Sequence, residues 1–161
     1  MSPRTPQPRS SRYRDIATRD VVADRTLAAL LKCEPGKHWF LIEAIRRADQ
    51  FAAPLGWTEI YVLRKFAPVV KRSDHGRTPV HEQVAKMFGQ VTAHAQMEIF
   101  VRGMPAPIAQ QLGVKPGSPA LTVIRRYYGP HEELFEVTVT THPEGPYTYT
   151  MDMHRALRPQ L

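Results

Sequence analysis

Two stretches of this chain close an apolar, strand-like run with a pair of arginines: "AALLKCEPGKHWFLIEAIRR", ending on Arg46 and Arg47, and "QQLGVKPGSPALTVIRR", ending on Arg125 and Arg126. A guanidinium presents a planar fork of donors that matches carboxylate or phosphate oxygens, so an arginine in such a place is a candidate anion ligand. Each run is followed by a second apolar stretch holding one glutamate, Glu59 in "GWTEIYVL" and Glu136 in the stretch from Leu134 to Thr141. Such a carboxylate accepts from a ligand hydroxyl or amine. Alternatively, strand alternation aims it outward, or it pairs with a strand arginine across the sheet. The arginines carry the same ambiguity, because an arginine that ends a strand is commonly only solvated.

Other chemistries find no support in the pattern. The seven histidines are scattered, and His75 and His81 lie across a polar, turn-like stretch rather than at i, i+4 on a helix, so no metal and no cofactor is expected. There is neither a phosphate loop nor a Gly-x-Ser-x-Gly nucleophile motif. Cys33 is the only cysteine, which excludes an internal disulfide; at the end of an apolar helix it is expected to pack rather than react.

The elements that must position these residues can be read in order. Leu27, Leu30 and Leu31 give one helical face after Asp24, a candidate N-cap, with Pro35-Gly36 as the stop. Trp39 to Ile45 and Gly56 to Leu63 read as an antiparallel hairpin. After a polar turn at Ser73 to Arg77, Thr78 is expected to cap a helix with Pro79 at its first position and Gly89 past its end. Val91 to Arg102 reads as a strand, "MPAPIAQQLG" as a short helix ended by Gly113, and Ala120 to Tyr128, Leu134 to Thr141 and Tyr147 to His154 as three further strands. Tyr147 and Tyr149 would share a face of the last one. The sum is an α+β fold: about three helices on an antiparallel sheet of five or six strands.

At 161 residues and 42% hydrophobic content the chain suits one domain with a real core. It has no apolar run of membrane-spanning length and no signal-peptide core, so no membrane is involved and a cytoplasmic location is expected. The net charge of +7 is concentrated early: Arg4, Arg9, Arg12 and Arg14 stand in a Pro/Ser/Arg-rich opening, and residues 1–20 are expected to be a tail or linker. The domain proper is expected to span 21–157.

The chain also repeats itself. Shifted by 81 positions, Ala28, Leu31, Pro35, Gly36 and Ile42 fall on Ala109, Leu112, Pro116, Gly117 and Val123, while Ala44 falls on Arg125. Shifted by 77, Trp57-Thr58-Glu59-Ile60 falls on Leu134-Phe135-Glu136-Val137. Each half alone would leave sheet edges and a face exposed, so the two are expected to share one sheet.

"AQQLGVKPGSPALTVIRRYYGPHEELFEVTVTTHPEGPYTYTMDMHR" resembles the second half of a UTRA domain, the effector-binding module of HutC-type GntR transcription regulators, and the resemblance extends more weakly back to Val21. It implies a chorismate lyase-like fold of two related halves and a cleft for a small polar or anionic effector such as a sugar phosphate, an amino-acid catabolite or an aromatic acid. Carried over by position, the ligand-binding residues are Arg46, Glu59, a hydroxyl at Thr92, and Tyr147, with Arg125 and Glu136 as second-half counterparts. Ala44 stands where the family often has the first arginine of an Arg-x-Arg pair. Only the basic opening stands where the family has a Gly/Phe/Ser-rich anion loop.

The resemblance further implies a homodimer, no catalysis, and contact with DNA only through a winged helix-turn-helix domain for which this chain leaves no residues. The alternatives on the same fold are a chorismate-lyase-like enzyme and a protein-interaction domain with a vestigial pocket.

Overall fold

The computed structural model describes residues 11–72, 78–145 and 147–154; the opening residues 1–10 and the expected turn at Ser73 to Arg77 lie outside them. In chain order the elements are β1 (Ser11–Val22), α1 (Arg25–Leu31), β2 (His38–Ala48), β3 (Gly56–Leu63), a 3₁₀ segment (Arg64–Arg72), α2 (Val80–Phe88), β4 (His94–Gly103), α3 (Ala106–Leu112), β5 (Pro119–Tyr128) and β6 (Leu134–Pro143). The six strands form one antiparallel sheet in the order β1-β2-β3-β6-β5-β4. The α+β expectation holds, with three helices and six strands among the described residues.

Three local expectations need correction. Residues 11–20 are not tail but most of β1, which pairs along the whole of β2 from Ser11↔Ala48 to Val22↔His38. Backbone pairing with an apolar neighbour overrides a polar, arginine-rich composition there. Thr78 does not cap α2: Pro79 occupies the N-cap with no side-chain bond, and the Thr78 carbonyl accepts instead from Gln83 Nε2 at 2.7 Å. Tyr147 to His154 forms no strand.

The two-half organisation is written in the backbone. Lys32 and Gly113 close α1 and α3 in the left-handed region (φ 59° and 68°), and Gly36 and Gly117 follow at 88° and 79°. The Gly36 amide donates to the Ala23 carbonyl at 2.7 Å and the Gly117 amide to Met104 at 2.9 Å; in return Ala23 donates to Lys37 and Met104 to Ser118. A Pro-Gly turn thus bolts each helix to the strand that precedes it, twice, with the same bonds.

Strand register corrects the second offset. Ile45 pairs with Trp57, while its counterpart Arg126 pairs with Val137; Leu41 pairs with Tyr61, while its counterpart Thr122 pairs with Thr141. The closing strands are therefore related by 80 positions, not 77. Glu59 matches Val139, which is also its partner across β3 and β6, so the pseudo-two-fold axis passes through that pair. Glu136 matches Gly56, and the two glutamates are not equivalents. The apparent match at 77 is a coincidence of similar apolar runs, displaced in part by the bulge that leaves Phe135 opposite no residue between Tyr127↔Glu136 and Tyr128↔Leu134.

Alternation then sorts the side chains. On the first face α1 packs on Trp39, Leu41, Tyr61, Val137 and Ile124, and α3 packs on Ile45, Trp57 and Ala120. On the second face α2 and the 3₁₀ segment place Val84, Phe66 and Val69 on Val62 and Phe135, with Phe40 and Ile60 at the margin. Because no side chain fills the space around Gly36 and Gly117, alanine there is strained only by the backbone. Gly36→Ala and Gly117→Ala should each lower stability by about 1–2 kcal/mol, and by similar amounts, in urea unfolding.

Candidate functional site

The four strand-end arginines divide between the two faces. Arg126 is 2% exposed on the first face, where Nε donates to the Leu31 carbonyl at 3.2 Å, Nη2 to Leu30 at 2.6 Å, and Nη1 to Gln96 and Glu98. It satisfies the carbonyls that α1 leaves open at its C-terminus, and it does so from the other half of the repeat. Arg47 is exposed. Arg46 and Arg125 stand at positions of β2 and β5 that face the second side, opposite Gly56 and Thr138 respectively.

Between those two arginines the second face is polar. Across the middle of the sheet Ala44 lies opposite Thr58, Thr58 opposite Thr140, and Thr140 opposite Val123. The Thr58 and Thr140 hydroxyls are 3.3 Å apart, both buried. Along β6 every second residue from Glu136 is polar: Glu136, Thr138, Thr140, His142. The His142 ring is stacked under Tyr147 with centroids 3.5 Å apart, and the Arg46 guanidinium stands 5.7 Å from the Tyr147 ring. From there the chain runs toward the opposite edge, where the Tyr149 hydroxyl donates to Met97 Sδ at 3.1 Å; Met97 is the residue of β4 opposite Arg125. The closing segment therefore crosses the second face from one arginine to the other.

His142 has a defined tautomer. Its Nδ1 lies 2.8 Å from the Leu55 carbonyl, which can only accept, so Nδ1 carries the proton and Nε2 a lone pair. Gly56 makes this possible: a Cβ there would come within 2.8 Å of both Nδ1 and the Thr141 carbonyl. Burial drives the imidazole down to about 4, and Arg46 and Arg125 push the same way against the bond to Leu55, so the ring is neutral at physiological pH.

Glu136, 2% exposed, goes the other way: burial lifts its carboxyl to about 8, with only the Thr138 hydroxyl, 3.3 Å from Oε1, opposing. Oε2 is buried without a hydrogen-bond partner. The group is a neutral acid beneath α2.

Of the residues read from sequence, Arg46, Arg125, Glu136 and Tyr147 share the second face. Glu59 does not. It belongs to the first face, directly opposite Glu43, where it accepts from the Tyr61 hydroxyl at 3.2 Å and burial raises its pKa. The β3 residue on the side of Arg46 is Thr58, one position earlier. Thr92 precedes β4, which begins only at His94, and β4 is an edge strand; the hydroxyls on the middle strands are Thr58, Thr138 and Thr140. These threonines and His142 were missed, although the period-two polar series within apolar "FEVTVTTH" signals them.

Among the described residues no group of three or more His, Cys, Asp or Glu could hold a metal ion, and no helix is long and apolar enough to cross a membrane.

A polar floor on one face of a two-half, six-stranded antiparallel sheet, with an arginine from each half on the same face, is the candidate site of this α+β domain. The sequence matches the UTRA domain family over residues 7–148, and the chain belongs to that family. The match takes in β1, consistent with its place in the sheet.

Three solved structures share the fold. The ligand-binding domain of a GntR-family transcriptional regulator from Bordetella bronchiseptica is 19% identical, with 95% of each chain covered and a TM-score of 0.71. The effector domain of PhnF from Mycobacterium smegmatis is 20% identical, with 91% of this chain and 88% of that one covered and a TM-score of 0.72. The C-terminal domain of the histidine utilization repressor from Pseudomonas syringae pv. tomato is 13% identical, with 90% and 99% covered and a TM-score of 0.72. No curated protein matches the sequence.

The two shifted groups act oppositely on stability. The unfolded chain ionises Glu136 from about 4.5 while the folded chain holds its proton to about 8, so stability from this group is lost as pH rises through that window. For His142, stability is lost as pH falls from 6.5 toward 4. Glu136→Gln should therefore be more stable than the parent at pH 8. It should also flatten the fall in unfolding free energy between pH 5 and 8, whose limiting slope for one group is about 1.4 kcal/mol per pH unit.

Proposed function

We propose that this chain is the ligand-sensing regulatory domain of a GntR/HutC-type transcription regulator, and that it binds a small polar or anionic metabolite on the second face of its sheet. The observation that carries the reading is the placement of Arg46 and Arg125, one from each half, on the same face as a floor of buried threonine hydroxyls. Two guanidiniums in a partly desolvated cleft attract carboxylate or phosphate, and hydroxyls with either donor or acceptor character suit a polyhydroxylated body. Ala44 removes one expected clamp on β2; its counterpart on β5 is Arg125, so the anion is held between the halves rather than by two arginines of one strand.

The remaining roles follow the same reading. Tyr147 forms a wall of the site, and Glu136, held as a neutral acid that accepts from the Thr138 hydroxyl, is no counter-charge to a bound cation. The domain is non-catalytic, works in the cytoplasm, and pairs with a second copy so that effector binding alters the spacing of DNA-binding heads carried outside the described residues. The effector classes that fit are sugar phosphates, amino-acid catabolites and aromatic acids.

A thermal-shift screen with members of those three classes tests this. A ligand at about 100 times its dissociation constant stabilises the folded chain by about 2.7 kcal/mol, and Arg46→Ala and Arg125→Ala should each abolish the shift. Glu59→Ala, on the first face, should leave it intact. A hit insensitive to both arginine substitutions would place the site elsewhere.

A further inference from the structure

We propose that His142 selects the effector by accepting a hydrogen bond from it, so that the bound anion must itself carry an O–H next to its negative charge: a protonated phosphate or phosphate monoester, or a carboxylate with a neighbouring hydroxyl. This rests on the anion site of the proposed function and narrows its chemistry.

The geometry supplies the argument. The Arg46 guanidinium, beside Tyr147, is a donor with no acceptor capacity at all. Tyr147 covers the imidazole and the Leu55 carbonyl fixes its Nδ1–H, which leaves Nε2 as a lone pair with no hydrogen bond among the described residues. The ring cannot turn its other edge to the ligand, because Nδ1 sits against the backbone at Leu55 and Gly56. Nor does it answer an anion by protonating, since burial and two neighbouring cations oppose the charge. An anion drawn to Arg46 therefore meets one fixed acceptor beside it. An oxyanion without a proton sets lone pair against lone pair at that point, whereas one with an O–H is fully matched.

Inorganic phosphate and sulfate separate these cases: they have the same shape, and at pH 6 phosphate carries a proton while sulfate carries none. Isothermal titration of the full chain at pH 6 should show phosphate binding at least about tenfold tighter than sulfate, the factor expected for one hydrogen bond to a charged group. His142→Phe, which keeps a ring for Tyr147 to cover but has no acceptor, should bring phosphate down to the level of sulfate. Arg46→Ala should abolish both.

Equal affinity of the parent chain for the two anions, or a preference that survives His142→Phe, would overturn the role of His142. If that equal binding still required Arg46, the anion site would stand without it. Failure of both anions to bind the parent would remove the anion site and the inference together. The parent comparison decides the matter even if the phenylalanine variant does not fold.

Discussion

The pairing of β3 with β6 is the constraint on which the rest of this molecule depends. It joins two half-sheets that could not stand alone, and its register decides which side chains of each half look the same way. With Glu59 on Val139 the axis between the halves falls at the middle of the sheet, and Thr58 meets Thr140 next to it on the second face. A slip of one residue would exchange the two faces of β6, burying Val137 and Val139 under α2 and sending the polar series of Glu136 to His142 against α1. The hydrophobic content of that strand makes the slip prohibitive, since Val137 and Val139 are fully buried in the α1 cluster.

The two faces use buried charge differently. On the first, Arg126 keeps its charge and is surrounded by acceptors, two of them helix carbonyls, so that burying it ties α1 of one half to β5 of the other. Removing such a group leaves its partners unsatisfied, and the arrangement works as a clamp rather than a source of net stability. On the second face Glu136 and His142 have given their charges up, one by holding a proton and the other by refusing one. Arg46 and Arg125 add positive charge to that same face.

Much of this was legible in the sequence, for identifiable reasons. The helix stops at Pro35-Gly36 and Gly113, the β3 boundaries and the repeat at 81 depend on backbone geometry that only certain residues tolerate, and each was placed correctly. β1 was lost because its arginines and polar residues are stabilised by pairing along β2, a non-local gain that composition does not record. Thr92 falls before β4 and Glu59 on the first face, and within a strand a shift of one residue is a shift of an entire face. Position in a motif located Arg46 and Tyr147 on the second face, while Thr58 and His142 needed the register. The standing of these residues as ligand contacts rests on geometry and on the proposed chemistry.

The turns that close α1 and α3 match bond for bond, but the residues at matching sheet positions do not: Ala44 answers to Arg125, Gly56 to Glu136, Val62 to His142, and Arg46 to Tyr127. A perfectly duplicated chain would carry two identical half-sites, one on each side of the axis, and would bind its ligand twice in opposite orientations. Here the arginines, Glu136 and His142 have lost their twins, and among the candidate residues only Thr58 keeps one, in Thr138. The scaffold has kept its symmetry and the chemistry has shed it, which gives the domain a head and a tail: a molecule lying across it can point only one way.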